Sequence, residues 1–97
     1  MTHFLVEYRE IGSPQQRAAH REEHIAYRKG IGEGMPLAGP ILDEAGNSVG
    51  SLVILEAADL RDASRIATSD PYVAAGVLEL VSVRSYRIAS LKPIGSG

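Results

Sequence analysis

The sequence predicts a small α+β protein in which four antiparallel strands form one sheet and two helices cover one of its faces. Segments with strand-like and helix-like patterns follow one another in the order strand, helix, strand, strand, helix, strand. The length of 97 residues and the share of hydrophobic residues, 44%, suit one globular domain. We therefore expect a single domain over residues 1–97, with a loose C-terminal tail from about residue 92.

The first strand and the first helix have clear local signals. Residues 4–8 alternate between two faces, as in a strand. Ser13 suits an N-cap, Pro14 suits the first helical position, and Gln16 stands where a capping box needs Glu or Gln. These signals predict a helix from Pro14 to about residue 33, where glycines stop it.

The other three strands differ in how they are placed in the sheet. Residues 35–41 are rich in Pro and Gly, which favours a short edge strand. Residues 50–56 carry apolar side chains on both sides, which indicates a central strand covered on both faces. The last strand is predicted over residues 78–88.

Two aspartates mark the remaining helix starts. Asp59 is a plausible N-cap for a helix that ends near Ser69. Asp70 and Pro71 repeat the signal, and they predict one short helical turn over residues 72–76.

This order of elements is the split β-α-β, or ferredoxin-like, pattern, in which the first and third strands are central. Two helices cover only one face of such a sheet. Because an apolar sheet face is rarely left to water, we expect a homodimer that packs sheet against sheet.

Composition narrows the range of partners. The net charge is −2, and the basic residues of the first helix alternate with acidic ones, as on a solvated helix face; they are Arg17, Arg21, Arg28 and Lys29. We therefore expect no nucleic-acid partner. The sequence contains no basic leader and no apolar run of membrane-spanning length, so we expect a cytoplasmic protein without a membrane partner. It also contains no cysteine, which excludes disulfides, thiolate metal sites and a cysteine nucleophile.

His24 is the best candidate for chemistry, because imidazole both accepts and donates protons near neutral pH. Asp70 could orient it, although the pattern alone favours the simpler interpretation, in which Asp70 is a helix cap and His24 an exposed helix residue. His20 and His24 have i, i+4 spacing without an obvious third ligand, so we expect no metal. The glycines at residues 30–34 follow a helix rather than a strand, so we expect no phosphate-binding loop and no cofactor.

Four short segments, taken together, resemble the YciI-like family, also called the YCII-related domain family. They are Arg21-Glu22-Glu23-His24, Glu33-Gly34, Ala38-Gly39-Pro40 and Asp70-Pro71-Tyr72-Val73-Ala74-Ala75-Gly76-Val77. The resemblance spans nearly the whole chain, and the last segment is the most specific.

The resemblance implies a ferredoxin-like fold of the dimeric α/β-barrel type, a sheet-packed dimer, and a His–Asp pair in a cleft. Carried over by motif, that pair is His24 and Asp70, with His20 as the competing histidine. Further residues that the motifs place near the cleft, as candidates for substrate binding, are Arg21, Gly39, Pro40 and Tyr72.

Three functions follow as hypotheses. The first is a cofactor-independent lyase or isomerase, which uses the His–Asp pair for acid–base chemistry on a small lactone, enol or related metabolite. The second is a module that binds a small metabolite without catalysis. The third is an accessory dimerisation domain. The sequence does not separate them.

Overall fold

Four antiparallel strands form a single sheet in the computed structural model, which describes residues 2–92. The strands are β1 (Thr2–Glu10), β2 (Leu37–Leu42), β3 (Ser48–Ala57) and β4 (Leu78–Tyr86). Their order in the sheet is β2-β3-β1-β4, and each neighbouring pair is antiparallel. The prediction of a ferredoxin-like α+β fold, with the first and third strands in the centre, is therefore confirmed.

Three helices connect the strands: α1 (Pro14–Ile31), α2 (Leu60–Thr68) and the single turn α3 (Pro71–Ala74). The predicted capping box at the start of α1 is present, because the Gln16 N–H donates to Ser13 Oγ at 3.1 Å and the Ser13 N–H donates to Gln16 Oε1 at 2.8 Å. Asp59 caps α2 as predicted. Within residues 2–92, no helix is both long and apolar enough to cross a membrane.

The structure shifts most element boundaries by one or two residues, and two of these shifts are the ends of α1 and β4. α1 ends two residues before the predicted position, because Gly32 adopts a φ of 62° and begins a 3-10 turn, Gly32–Gly34. β4 ends at Tyr86 rather than at residue 88. The loose tail predicted from about residue 92 lies, except for Lys92 itself, outside the described residues.

The core lies between the helices and one face of the sheet. Alternate residues of β1 and β3 are buried there together with small residues of α2; they are Phe4, Val6, Tyr8, Val53, Leu55, Ala57, Ala63 and Ala67. Val77 and Leu78 complete the core at the end where α3 meets β4. This burial explains the alternation that predicts β1.

The opposite face of the sheet is also apolar, although no helix of the described residues packs on it. Leu5 pairs in register with Ile54, which in turn pairs with Leu37 on β2. These side chains and Leu52 border a cavity of about 370 Å³ together with Tyr86. Leu37 remains 44% exposed and Tyr86 45% exposed.

Candidate active site

A stripe of basic side chains on α1 forms one wall of a cavity of about 440 Å³. Arg17, Arg21, His24 and Arg28 follow one another at intervals of four, three and four residues, which places them on one face of the helix. Other residues that line the cavity come from β2, β3 and α3, and include Gly39, Pro40, Gly50, Ser51 and Tyr72.

The structure brings His24 and Asp70 together beside this cavity. Nδ1 of His24 lies 2.8 Å from Oδ1 and 2.9 Å from Oδ2 of Asp70, although the two residues are 46 positions apart in the sequence. The Asp70 side chain is only 1% exposed, whereas that of His24 is 17% exposed. Asp70 also caps α3, because its Oδ1 accepts the Tyr72 N–H at 2.9 Å. The cap and the histidine contact therefore occur together.

Arg28 is a third partner of Asp70. Its Nε donates to Oδ2 at 2.9 Å, and its side chain is only 14% exposed. Nη1 lies 3.3 Å from Ser51 Oγ, and the guanidinium carbon lies 5.4 Å from the centre of the Tyr8 ring. The interpretation of the basic residues of α1 as a solvated face is therefore wrong for Arg28, since burial of this cation is balanced by a buried carboxylate.

These contacts keep Asp70 ionised. Burial by itself raises the pKa of the Asp70 carboxyl, because the anion loses its hydration. The hydrogen bonds from His24 and the Tyr72 N–H, the charge of His24 and the hydrogen bond from Arg28 outweigh this effect and hold the pKa below its ordinary value. Asp70 is therefore a carboxylate at neutral pH.

An ionised Asp70 also fixes the role of each nitrogen of His24. A carboxylate only accepts hydrogen bonds, so Nδ1 must carry the proton that it shares with Asp70. In the neutral ring, Nε2 then has the free electron pair. Nε2 makes no hydrogen bond to residues 2–92, and His24 lines the cavity. This arrangement suits proton transfer to and from a molecule in the cavity.

The other predicted site residues differ in whether they line the cavity. Four of them line the same cavity as His24: Arg21, Gly39, Pro40 and Tyr72. His20, the competing histidine, does not line it; its Nδ1 lies 3.8 Å from Oε2 of Glu23, and its side chain is 39% exposed. The geometry thus favours His24 over His20.

Sequence reasoning missed Arg28 and Ser51 as site residues. The four-residue spacing from His24 to Arg28 was a usable signal, because it continues the stripe that already holds Arg21. Ser51 carries no comparable signal. Its position depends on the register of β3 with β2, where it pairs with Pro40.

The positive charge at the cavity is only partly neutralised. Arg17 forms an ion pair with Glu10 at the point where this cavity meets a second one of about 430 Å³. Arg21 lines both cavities and makes no ion pair within the described part of the chain. The cavity is therefore suited to an anionic ligand.

Comparison with a solved structure supports the fold. The chain resembles 5-chloro-2-hydroxyhydroquinone dehydrochlorinase from Burkholderia phenoliruptrix AC1100, in its complex with 2,5-dihydroxybenzoquinone, with a TM-score of 0.65 and 21% sequence identity. The match covers 88% of this chain and 92% of the other. No match is found among the curated proteins.

The family of the chain follows from its match to a family model. The model of the YCII-related domain matches residues 1–87, which include β1 through β4 and every residue that lines the cavity. The chain therefore belongs to the YCII-related domain family.

Proposed function

We propose that the protein is a small cofactor-independent enzyme that catalyses an isomerisation or an elimination on a small lactone, enol or related metabolite. His24 is the proposed acid–base residue and Asp70 the residue that orients it. The observation that supports this most directly is the contact of Nδ1 with a buried carboxylate, which leaves Nε2 for the cavity.

The proposed reaction begins when Nε2 takes a proton from a carbon or oxygen of the substrate. The electron pair left behind forms an enolate, and the new imidazolium is stabilised by Asp70. Return of the proton to a different atom completes an isomerisation. In an elimination the enolate electron pair instead forms a new carbon–carbon double bond, and the halide leaves with the electrons of the carbon–halogen bond. Nε2 then releases the proton to solvent.

The charge of the cavity wall supports a reaction of this kind. Negative charge develops on the substrate oxygen as the proton leaves, and fixed cations near that oxygen stabilise it. Arg21 lines the cavity one helical turn before His24, and Arg28 lines it one turn after. Arg21, which makes no ion pair within residues 2–92, contributes most of the positive charge where the enolate forms, because the charge of Arg28 is shared with Asp70.

The test begins with compounds related to the ligands of the structural neighbour. We would screen chlorinated hydroxyhydroquinones for chloride release and small unsaturated lactones for isomerisation, with 2,5-dihydroxybenzoquinone as the first ligand for binding. His24→Ala should reduce turnover of an accepted compound by about 100-fold or more. His20→Ala is the matched control, because His20 lies one turn away on α1 and outside the cavity.

Asp70→Asn tests whether Nε2 of His24 is the base. The Asn amide can donate a hydrogen bond to Nδ1, which moves the ring proton to Nε2 and removes the base. Unchanged turnover in both His24→Ala and Asp70→Asn would rule out the proposed mechanism. Binding of a ligand that depends on His24, with no conversion of any compound, would instead favour the metabolite-binding module.

We also propose that two copies pack through the open face of the sheet. Leu5 and Leu52 are half-buried on this face beside Ile54, which is 4% exposed, and no helix within residues 2–92 covers this apolar centre. Sedimentation should show a dimer at micromolar concentration, and Leu52→Glu should convert it to a monomer. Leu60→Glu, at an exposed position of α2, is the control that should remain dimeric. A monomeric wild-type protein would contradict the proposal.

A further inference from the structure

The end of the Arg28 side chain is unusual, because one of its nitrogens is buried without a hydrogen-bond partner. Nη2 has no partner among residues 2–92, and it is the one buried side-chain nitrogen or oxygen there of which this is true. An unpaired buried donor is costly, and in native proteins it generally has a specific explanation. Nη2 itself has almost no accessible surface, but Arg28 lines the cavity that holds His24, so a turn of its guanidinium toward the cavity would give Nη2 a ligand as its partner.

The neighbouring nitrogen of Arg28 is only weakly held. Nη1 lies 3.3 Å from Ser51 Oγ, and that hydroxyl lies 3.4 Å from the Gly39 carbonyl oxygen. Both distances are at the long end of the hydrogen-bond range. By contrast, Nε is held firmly by Asp70 at 2.9 Å. Asp70 thus anchors the guanidinium through Nε. Nη1 and Nη2 of Arg28 would give up only weak contacts if they turned to a ligand oxygen.

A second arginine lies at the opposite end of the same wall. Arg21 and Arg28 are seven residues apart on α1, so they are separated by about 10 Å along the helix and face the same side. His24 lies between them. Arg21 is exposed, whereas the Arg28 side chain is 14% exposed, so the cavity runs from an open end at Arg21 to an enclosed end at Arg28.

From this arrangement we propose that the cavity selects a small ring compound with two acidic oxygens on opposite sides of the ring. Arg21 binds one oxygen at the open end, and Arg28 binds the other at the enclosed end, where its guanidinium turns from Ser51 toward the ligand. This inference rests on the proposed function, because the substrate atom that loses or gains a proton then lies beside Nε2 of His24. Arg28 is in this view a substrate-binding residue as well as a partner of Asp70.

The test compares two ligands that differ by one acidic oxygen: 2,5-dihydroxybenzoquinone and its monomethyl ether. Wild-type protein should bind the dihydroxy compound more tightly by about 10- to 100-fold, the range set by one charge-assisted hydrogen bond. In Arg28→Met the two ligands should bind equally within about threefold, because only the contact with Arg21 remains. Isothermal titration calorimetry gives both dissociation constants.

Two further variants control for charge and for folding. Arg65→Met removes an exposed arginine of α2 and should keep the wild-type preference. Arg28→Lys retains a cation near Asp70, but its single ammonium cannot contact both Asp70 and the ligand as a guanidinium does, so the preference should also fall. This variant keeps the test decisive if Arg28→Met does not fold.

Two outcomes would overturn the inference. One is a wild-type preference that persists in Arg28→Met and Arg28→Lys, which would leave Arg28 with only its contact to Asp70. The other is no binding of the dihydroxy compound to wild-type protein at millimolar concentration. The preference is measured as binding, without any turnover, so loss of the proposed catalysis and loss of the proposed selectivity are observed separately.

Discussion

The imidazole of His24 lies flat against the phenol ring of Tyr72, with ring centres 3.9 Å apart and planes inclined by 9°. Asp70 holds one edge of the imidazole, so the stack and the hydrogen bond together restrict both tilt and rotation of the ring. Tyr72 follows Pro71 directly in α3, and its N–H donates to the same carboxylate. The segment from Asp70 to Tyr72 therefore supplies both the hydrogen-bond partner of His24 and the ring on which it stacks.

The ring of Tyr72 should matter more for stability than its hydroxyl. The ring is 5% exposed, whereas the hydroxyl donates to the Arg17 carbonyl oxygen at 3.2 Å. We expect Tyr72→Phe to lower the free energy of unfolding by about 1 kcal/mol, the usual value of one hydrogen bond. Tyr72→Ala should lower it by about 3–5 kcal/mol, because it removes a buried aromatic ring.

Urea denaturation measures both losses for Tyr72. Tyr86→Phe is the control, because Tyr86 is 45% exposed and its substitution should change the free energy of unfolding by less than about 0.5 kcal/mol. Equal losses in Tyr72→Phe and Tyr72→Ala would show that the hydroxyl, and not the ring, accounts for the contribution of this residue.

The pH dependence of stability should depend on Asp70. Its pKa is lowered in the folded protein, so the unfolded chain binds the proton first as the pH falls. The stabilisation is fully present above the unfolded pKa of about 4, and it is lost as the pH falls from there through the folded pKa. Asp70→Asn should be less stable by about 3 kcal/mol at pH 7, because it leaves Arg28 without its anion.

Denaturation series at several pH values test this prediction about Asp70. The free energies of unfolding of wild-type protein and Asp70→Asn should approach each other as the pH falls below about 4. Asp59→Asn is the control, since Asp59 also caps a helix but contacts no cation within residues 2–92. A difference between wild-type protein and Asp70→Asn that stays constant down to pH 2 would contradict the coupling.

The proton position on His24 is open to direct observation. Long-range ¹H–¹⁵N spectra distinguish the two neutral forms of an imidazole, and the wild-type ring should carry its proton on Nδ1. In Asp70→Asn the form protonated on Nε2 should appear. The signals of His20, whose Nδ1 is 3.8 Å from the nearest carboxylate oxygen of Glu23, should not change. A wild-type ring protonated on Nε2 would remove the proposed base.

The helix starts and the strand faces that the sequence predicts correctly depend on local signals. The capping residues Ser13 and Asp59 act within their own helices, so their positions follow from spacing alone. The alternation of β1 reflects one buried face, which a strand period of two residues reveals. The order of the strands then follows from the split β-α-β pattern.

Contacts between distant segments are harder to predict. Spacing gave no reason to join His24 with Asp70 across 46 residues, and only the family resemblance favoured the pair over a simple helix cap. The charge of Arg28 predicts a position on a solvated helix face. Its burial follows only from the contact with Asp70, which the spacing of residues does not reveal. The end of α1 depends on the φ of Gly32, one of several glycines that could have stopped the helix.

Two cavity glycines that look alike in the sequence should respond differently to substitution. A Cβ on Gly50 would lie 2.3 Å from the carbonyl oxygen of Tyr8, on the neighbouring strand, whereas a Cβ on Gly39 would meet nothing within 4 Å. We expect Gly50→Ala to lower the free energy of unfolding by about 1–3 kcal/mol, because β1 and β3 must move apart. Gly39→Ala should change it by less than about 0.5 kcal/mol.

The effect at Gly50 should also reach the site. Ser51 follows directly, and its hydroxyl contacts Nη1 of Arg28, so a shift of β3 moves the partner of that guanidinium. Gly50→Ala should therefore weaken binding of 2,5-dihydroxybenzoquinone beyond what an equally destabilising core variant, Val6→Ala, causes. Calorimetric titration of both variants decides the matter: equal affinities would mean that the close approach of β3 to β1 serves the stability of the sheet and does not position Arg28.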